Sequence, residues 1–201
     1  MSNETYISID IETDGPCPGI NSMLSLGAAV FRLDGQEMEH GLLMGRHWAA
    51  NLLALPEGQQ NPDTMKWWKT QPDAWAELEK DVRNPAEAMP DFVLWCNQWR
   101  TATAPGKLVA VAWPAAFDFS FVNYYCWRFA GENPLGFACM DIRSYAAGLV
   151  DSDHYYRLPE SEIKAIAGQK QEGLQDHHAL DDAIDQADLM KALLRAAQTR
   201  S

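Results

Sequence analysis

Tyr6-Ile7-Ser8-Ile9-Asp10-Ile11-Glu12-Thr13 reads as a strand that ends in two acids. Ile7, Ile9 and Ile11 alternate with Ser8, Asp10 and Glu12, and residues two apart on a strand share a face. Asp10 and Glu12 therefore project together, next to a turn predicted at Asp14-Gly15-Pro16. Two carboxylates about 4 Å apart repel by roughly 4 kcal/mol at an effective dielectric near 20. A strand end that carries both has a use for a cation.

Working outward, Met23-Leu24-Ser25-Leu26-Gly27-Ala28-Ala29-Val30-Phe31 predicts a second strand, with Asp34-Gly35 as a hairpin turn. A third strand is expected between Leu42 and Leu55, interrupted by Gly45-Arg46-His47-Trp48. Pro62, capped by Asn61, starts a short amphipathic helix carrying Trp67 and Trp68. Neighbouring helical residues point about 100° apart, so at most one of these indoles can be fully core. The other is free to stack on a terminal base, as aromatic rings do without reading sequence. Lys66 and Lys69 lie close enough to meet phosphate.

A helix over Pro85 to Thr101 buries Met89, Phe92, Val93, Cys96 and Trp99. Leu108-Val109-Ala110-Val111-Ala112-Trp113 is the continuous apolar run of a strand covered on both faces. Asp118 follows on the first turn of a helix predicted to reach about Phe129. After a short strand at Met140-Asp141, with Asp141 capping the next helix, residues 149–176 read as a solvated loop holding Asp151, Asp153 and His154. The last helix lines Leu180, Ala183, Ile184, Ala187, Met190 and Leu194 on one face and leaves Asp181, Asp182, Asp185 and Asp188 off it. The order β-β-β, α, α, β, α, short β, α, α predicts a mixed α/β domain.

Asp118 and an acid of the last helix extend the first pair to a carboxylate cluster, with His177 just ahead of that helix. An oxygen-only donor set without cysteine suits Mg²⁺ or Mn²⁺ rather than zinc. Two such ions about 3.5–4 Å apart can flank a scissile phosphate. A histidine beside them can take a proton from the attacking water at neutral pH.

The order Asp10-x-Glu12-Thr13, then Phe117-Asp118, then His177-x4-Asp182 resembles the three motifs of the DEDDh family of 3′-to-5′ exonucleases, which includes polymerase proofreading subunits, ribonuclease T and oligoribonuclease. The motifs are 106 and 64 residues apart (12 to 118, 118 to 182), and the likeness spans residues 6 to 190. Periodicity does not separate Asp181 from Asp182; the family spacing does, because His-x4-Asp counted from His177 reaches Asp182. The resemblance implies a ribonuclease H-like sheet flanked by helices. It further implies two Mg²⁺ or Mn²⁺ ions held by Asp10, Glu12, Asp118 and Asp182, with His177 as general base on a segment that moves into place when substrate binds. The expected reaction is release of 5′-mononucleotides from single-stranded RNA or DNA 3′ ends, or from short oligonucleotides. Glu12 or Thr13 would reach the terminal ribose or 3′-hydroxyl. Trp113 stands four residues before Phe117, where relatives often carry Asn, and bears on how the nucleotide and this loop are held. Asn61 to Gln71 is similar to a segment of exonuclease VIII-like and mycobacterial exoribonuclease-like proteins, which ranks RNA slightly ahead of single-stranded DNA; Trp67 is the indole expected to stack on a base. The family resemblance also implies a homodimer. Two other readings stay open: a phosphodiesterase acting on dinucleotides or modified nucleotide ends, and a catalytically silent nucleic-acid-binding subunit.

The 201 residues suffice for one exonuclease domain, 1–201, and 47% hydrophobic content fits a globular core. A formal charge of −12 argues against tight, sequence-indifferent binding of long duplexes, since phosphate affinity comes from Lys and Arg. Metals can supply the positive charge that grips a few terminal nucleotides. No 18-residue apolar run spans a membrane, and Met1-Ser2-Asn3-Glu4-Thr5 lacks the basic start of a signal peptide, so a cytoplasmic location is expected. Cys17, Cys96, Cys126 and Cys139 form no Cys-x-x-Cys and are expected as reduced, mostly buried thiols. His40 and His47 have no acidic partners at ligand spacing and are expected at the surface or satisfied.

Overall fold

Two strands buried on both faces set the architecture, because a sheet stays hidden on both sides only when helices cover it twice. The computed structural model describes residues 4–34, 45–102, 107–155, 158–167 and 177–200. β1 (Thr5–Thr13) and β2 (Met23–Phe31) pair antiparallel, and β3 (His47–Asn51) adds antiparallel to β2. β4 (Leu108–Ala112) and β5 (Cys139–Asp141) extend the other side in parallel, giving the order β3-β2-β1-β4-β5. The carboxyl ends of β1, β4 and β5 therefore open at one end of the sheet, where α/β sheets place ligands.

On one face, α3 (Pro85–Ala102) and α4 (Ala115–Tyr125) bury Met89, Phe92, Trp95, Phe121 and Val122 against Ile7, Ile9 and Ile11. On the other, α5 (Ile142–Leu149), α6 (Glu160–Ile166) and α7 (Ala179–Arg200) pack Ile142, Ile163, Met190 and Leu193 against Tyr6, Phe31 and Val111. Each such side chain contributes about 1.5–3 kcal/mol of burial free energy. A smaller cluster of Leu24, Trp68, Ala74 and Leu78 seats α1 (Pro62–Trp68) and α2 (Pro72–Leu78) beside β2. α1 starts as its sequence predicts: Asn61 Oδ1 accepts from the backbone N–H of Asp63 and Thr64 at 3.0 Å each.

Several expectations change. His47 and Trp48 belong to the third strand instead of interrupting it: β3 starts at His47, and Trp48 turns inward to pack on Phe92 at 5.0 Å. Leu42 to Met44, Gly35 and His40 lie outside the described residues, while His47 is exposed on β3. β4 ends at Ala112 rather than Trp113. Pro72–Leu78 forms a separate helix, α2, after the one begun by Pro62, and the predicted loop of residues 149–176 contains α6, which buries Ile163. α4 passes into a π-helical turn at Cys126–Ala130. Cys96 and Cys126 are buried, Cys139 partly so, but Cys17 is exposed. Among the described residues no helix is long and apolar enough to cross a membrane.

Candidate active site

β1 delivers Asp10 and Glu12 on the face that α7 covers. Asp10 lies opposite Gly27 of β2, and the register shifts between Glu12 and Thr13, as at a β-bulge. The chain beyond is tied down at once. Trp68 Nε1 donates to the Thr13 carbonyl at 2.8 Å, and the Ser22 N–H donates to Asp14 Oδ1 at 2.6 Å.

Gly27 lets α7 approach. A Cβ there would meet the Ala179 carbonyl oxygen at 2.2 Å and the Leu180 nitrogen at 2.4 Å, so only glycine allows the α7 backbone to lie on β2. Residues four apart on a helix share a face, so Asp182 and Gln186 both look down on β1. Carboxylate oxygens of Asp10, Glu12 and Asp182 lie within 4.8 Å of one another. Gln186 Nε2 donates to Asp10 Oδ1 at 2.7 Å.

Asp118 enters from the first turn of α4 and is buried, 3% exposed. It lies outside the 4.8 Å group, but Asp10 and Glu12 both feel its charge. Burial raises Asp10 well above the usual carboxylate range, helped by Asp118, Glu12 and Asp182 and opposed by the Gln186 hydrogen bond. Burial, with Asp182 and Asp118, pushes Glu12 up to about 8. Burial also pushes Asp118 up to about 7, although its own backbone N–H and that of Ile11 stabilise its anion. Repulsion of this kind is what a divalent cation relieves. Asp118 Oδ2 is buried without a hydrogen-bond partner, which leaves it open to a cation. Hard oxygen donors on four converging side chains fit Mg²⁺-class ions.

His177 has a left-handed backbone, φ 67°, two residues before α7 begins. Its ring meets Trp67 edge-on, with centroids 4.7 Å apart and planes at 88°. Trp67 is 39% exposed while its neighbour Trp68 is 2% exposed, so one indole is core and the other faces out, as the helical geometry requires. The two rings are themselves 4.7 Å apart. Thr13 is buried, and Trp113 packs under the Arg143 guanidinium. The neighbouring pair separates from the site: His178 Nδ1 lies 3.1 Å from Asp181 Oδ2, which leaves Asp182 to the cluster. Asp153 and His154 pair with each other at 3.2 Å on an exposed stretch.

Three contributors are not evident from the sequence. Gln186 carries one usable signal, its place one helical turn after Asp182. A core indole is expected on α1, but the hydrogen bond from Trp68 to Thr13 has no sequence signature, and neither has the close approach at Gly27.

The model of the 3′-5′ exoribonuclease Rv2179c-like domain matches residues 5–194. The 3′-5′ DNA exonuclease Cap18 of Escherichia coli is 32% identical over 198 residues, which cover 98% of this chain and 95% of that protein. The nuclease domain of 3′hExo, a DEDDh family member bound to rAMP, superposes with a TM-score of 0.60 at 12% identity, covering 96% of this chain and 92% of the other. Escherichia coli exonuclease I in complex with single-stranded DNA gives a TM-score of 0.64 at 15% identity, covering 99% of this chain and 42% of the other. At these identities the superpositions speak for the fold: a mixed five-stranded sheet flanked by helices, of the ribonuclease H-like type that DEDDh exonucleases share.

Proposed function

This chain belongs to the Rv2179c-like 3′-5′ exoribonuclease domain family, and on that premise we propose that it releases 5′-mononucleotides from the 3′ ends of single-stranded or short nucleic acids. The observation that carries the reading is the convergence of Asp10, Glu12 and Asp182 within 4.8 Å, with the orphaned Asp118 oxygen beside them. Asp10, Glu12, Asp118 and Asp182 would hold two Mg²⁺ or Mn²⁺ ions, which when bound supply Lewis acidity to the scissile phosphate.

His177 is the proposed general base. It takes the proton of the attacking water, and its contact with Trp67 sets the orientation of the ring for that transfer. Gln186 steadies Asp10 by donating to Oδ1, which leaves the other oxygen for a cation. Thr13, at the bulge after Glu12, is the proposed neighbour of the terminal sugar, and the outward Trp67 face a platform for a base. RNA, favoured by the tryptophan segment, stands as the first substrate, with single-stranded DNA beside it because the 32% identical relative bears a DNA exonuclease's name. We assign the activity to residues 1–201 as one domain and expect a homodimer, which light scattering measures.

The test is digestion of 5′-labelled RNA and DNA oligonucleotides with Mg²⁺, Mn²⁺ or EDTA. A metal-dependent ladder shortening from the 3′ end, abolished by Asp10→Ala and slowed about 10²- to 10⁴-fold by His177→Ala, is expected. Undiminished cleavage by folded Asp10→Ala, or shortening from the 5′ end, would sink the reading. Cleavage confined to dinucleotides would replace the polymer substrate with a dinucleotide.

A further inference from the structure

Arg143 carries a charge that the described residues leave uncommitted. It sits on the first turn of α5, just past the carboxyl end of β5, and its guanidinium carbon lies 5.2 Å from the Trp113 ring centroid and 5.4 Å from that of Tyr155. Its Nε is buried with no hydrogen-bond partner. In a chain with 28 acidic and 16 basic residues, an arginine normally finds a carboxylate. Among the described residues none forms an ion pair with this one.

The nearest acid in sequence is taken. Asp141 Oδ1 accepts from the Ser144 N–H and hydroxyl at 2.7 Å each. Its Oδ2 accepts from the Ala115 N–H at 3.1 Å and the Tyr155 hydroxyl at 3.4 Å. Four donors saturate this carboxylate, so Arg143 is held by two aromatic rings instead of by an anion. Rings attract a guanidinium through their faces and leave its in-plane N–H donors for a ligand. The planar fork they leave matches a phosphate.

Position decides which phosphate. Trp113 runs directly into Pro114, whose carbonyl accepts from the Asp118 N–H at 3.3 Å, and the Asp141 charge is felt by Asp118. Arg143 is thus connected to the carboxylate cluster through Asp141 and the first turn of α4, which carries Asp118, whereas Trp67 and His177 pack on each other. We propose that the Trp113–Arg143–Tyr155 stack is an anion site that grips a backbone phosphate of the strand being degraded, separate from the phosphate under attack. The proposal rests on the exonuclease reading and makes the tryptophan at 113 one wall of a phosphate clamp.

The experiment compares wild type, Arg143→Gln, Arg143→Lys and Trp113→Leu on 5′-labelled single-stranded oligonucleotides and on a dinucleotide, at several salt concentrations. For the oligonucleotides, Arg143→Gln should raise KM about tenfold, as loss of one charge-assisted contact does, with kcat within about twofold. The slope of log KM against log salt should become shallower by about 0.7, the value for one single-strand phosphate. Arg143→Lys should restore the slope, Trp113→Leu should raise KM part of the way, and the dinucleotide, whose only internucleotide phosphate is the one under attack, should not respond to Arg143→Gln. Unchanged KM and slope overturn the proposal. So does a fall in kcat and melting temperature at unchanged slope, which would make Arg143 a packing residue of α5. If wild type degrades no nucleic acid, the exonuclease reading fails, and fluorescence anisotropy of a labelled oligonucleotide then decides separately whether Arg143 binds phosphate.

Discussion

Replacing Glu12 with glutamine should stabilise the metal-free protein at alkaline pH while abolishing nuclease activity. Burial, and after it the charges of Asp182 and Asp118, push Glu12 up from 4.5 to about 8. A carboxyl that holds its proton more tightly folded than unfolded makes the native state the more protonated one, so stability falls as pH rises. The cost is absent below about 4.5, grows through neutrality and is complete above about 8. Spread over that interval it amounts to about 5 kcal/mol. Asp118 titrates in the same range, so each proton relieves both groups and the cost belongs to the cluster. Removing one member should therefore recover between about 2 and 5 kcal/mol at pH 9, and about 1 kcal/mol or less at pH 5. Urea unfolding of wild type and Glu12→Gln in EDTA at pH 5, 7 and 9 measures the difference. A gap that is the same at all three pH values would refute the reasoning, and so would a wild type that gains stability relative to Glu12→Gln as pH rises.

Two further outcomes follow from the geometry. Gly27→Ala places a methyl 2.2 Å from the Ala179 carbonyl oxygen, so α7 must lift; the expected loss is about 1–3 kcal/mol of stability, with kcat down at least about tenfold as Asp182 is displaced. Thermal unfolding and steady-state kinetics measure both, and a variant with unchanged kcat would show that the close approach is incidental. Trp67→Ala should leave the melting temperature within a few degrees, because Trp68 supplies the buried indole, yet lower kcat about tenfold by releasing His177. A rise in KM alone would assign Trp67 to substrate stacking only.

What the chain discloses before folding is local. The alternation from Ile7 to Glu12, the helix begun by Pro62 and the apolar run from Leu108 are each settled by neighbours within a few residues, and all three elements form as expected. β3 is harder to read because it is a short edge strand in which exposed His47 and Ala49 alternate with buried Trp48 and Ala50, and its polar residues resemble a break. α6 buries Ile163 alone within a polar stretch, too little to raise a helical period. At the site, residue types and order are legible, but mutual support is not. Gln186 is an ordinary helix-surface residue until Asp10 is known to face it, and Trp67 is a spare indole until His177 lies against it. Such pairings depend on how the sheet orders its strands.

Gln186 and Asp10 are 176 residues apart, and α7 brings the closing carboxylate to β1 from equally far along the chain. During synthesis at about 5–20 residues per second, β1 leaves the ribosome roughly 10–35 s before α7 does. Throughout that interval the growing polypeptide holds Asp10, Glu12 and, later, Asp118, but neither His177 nor Asp182. The proposed centre is therefore a product of docking rather than of synthesis: it is completed only when α7 settles on β1 and β2.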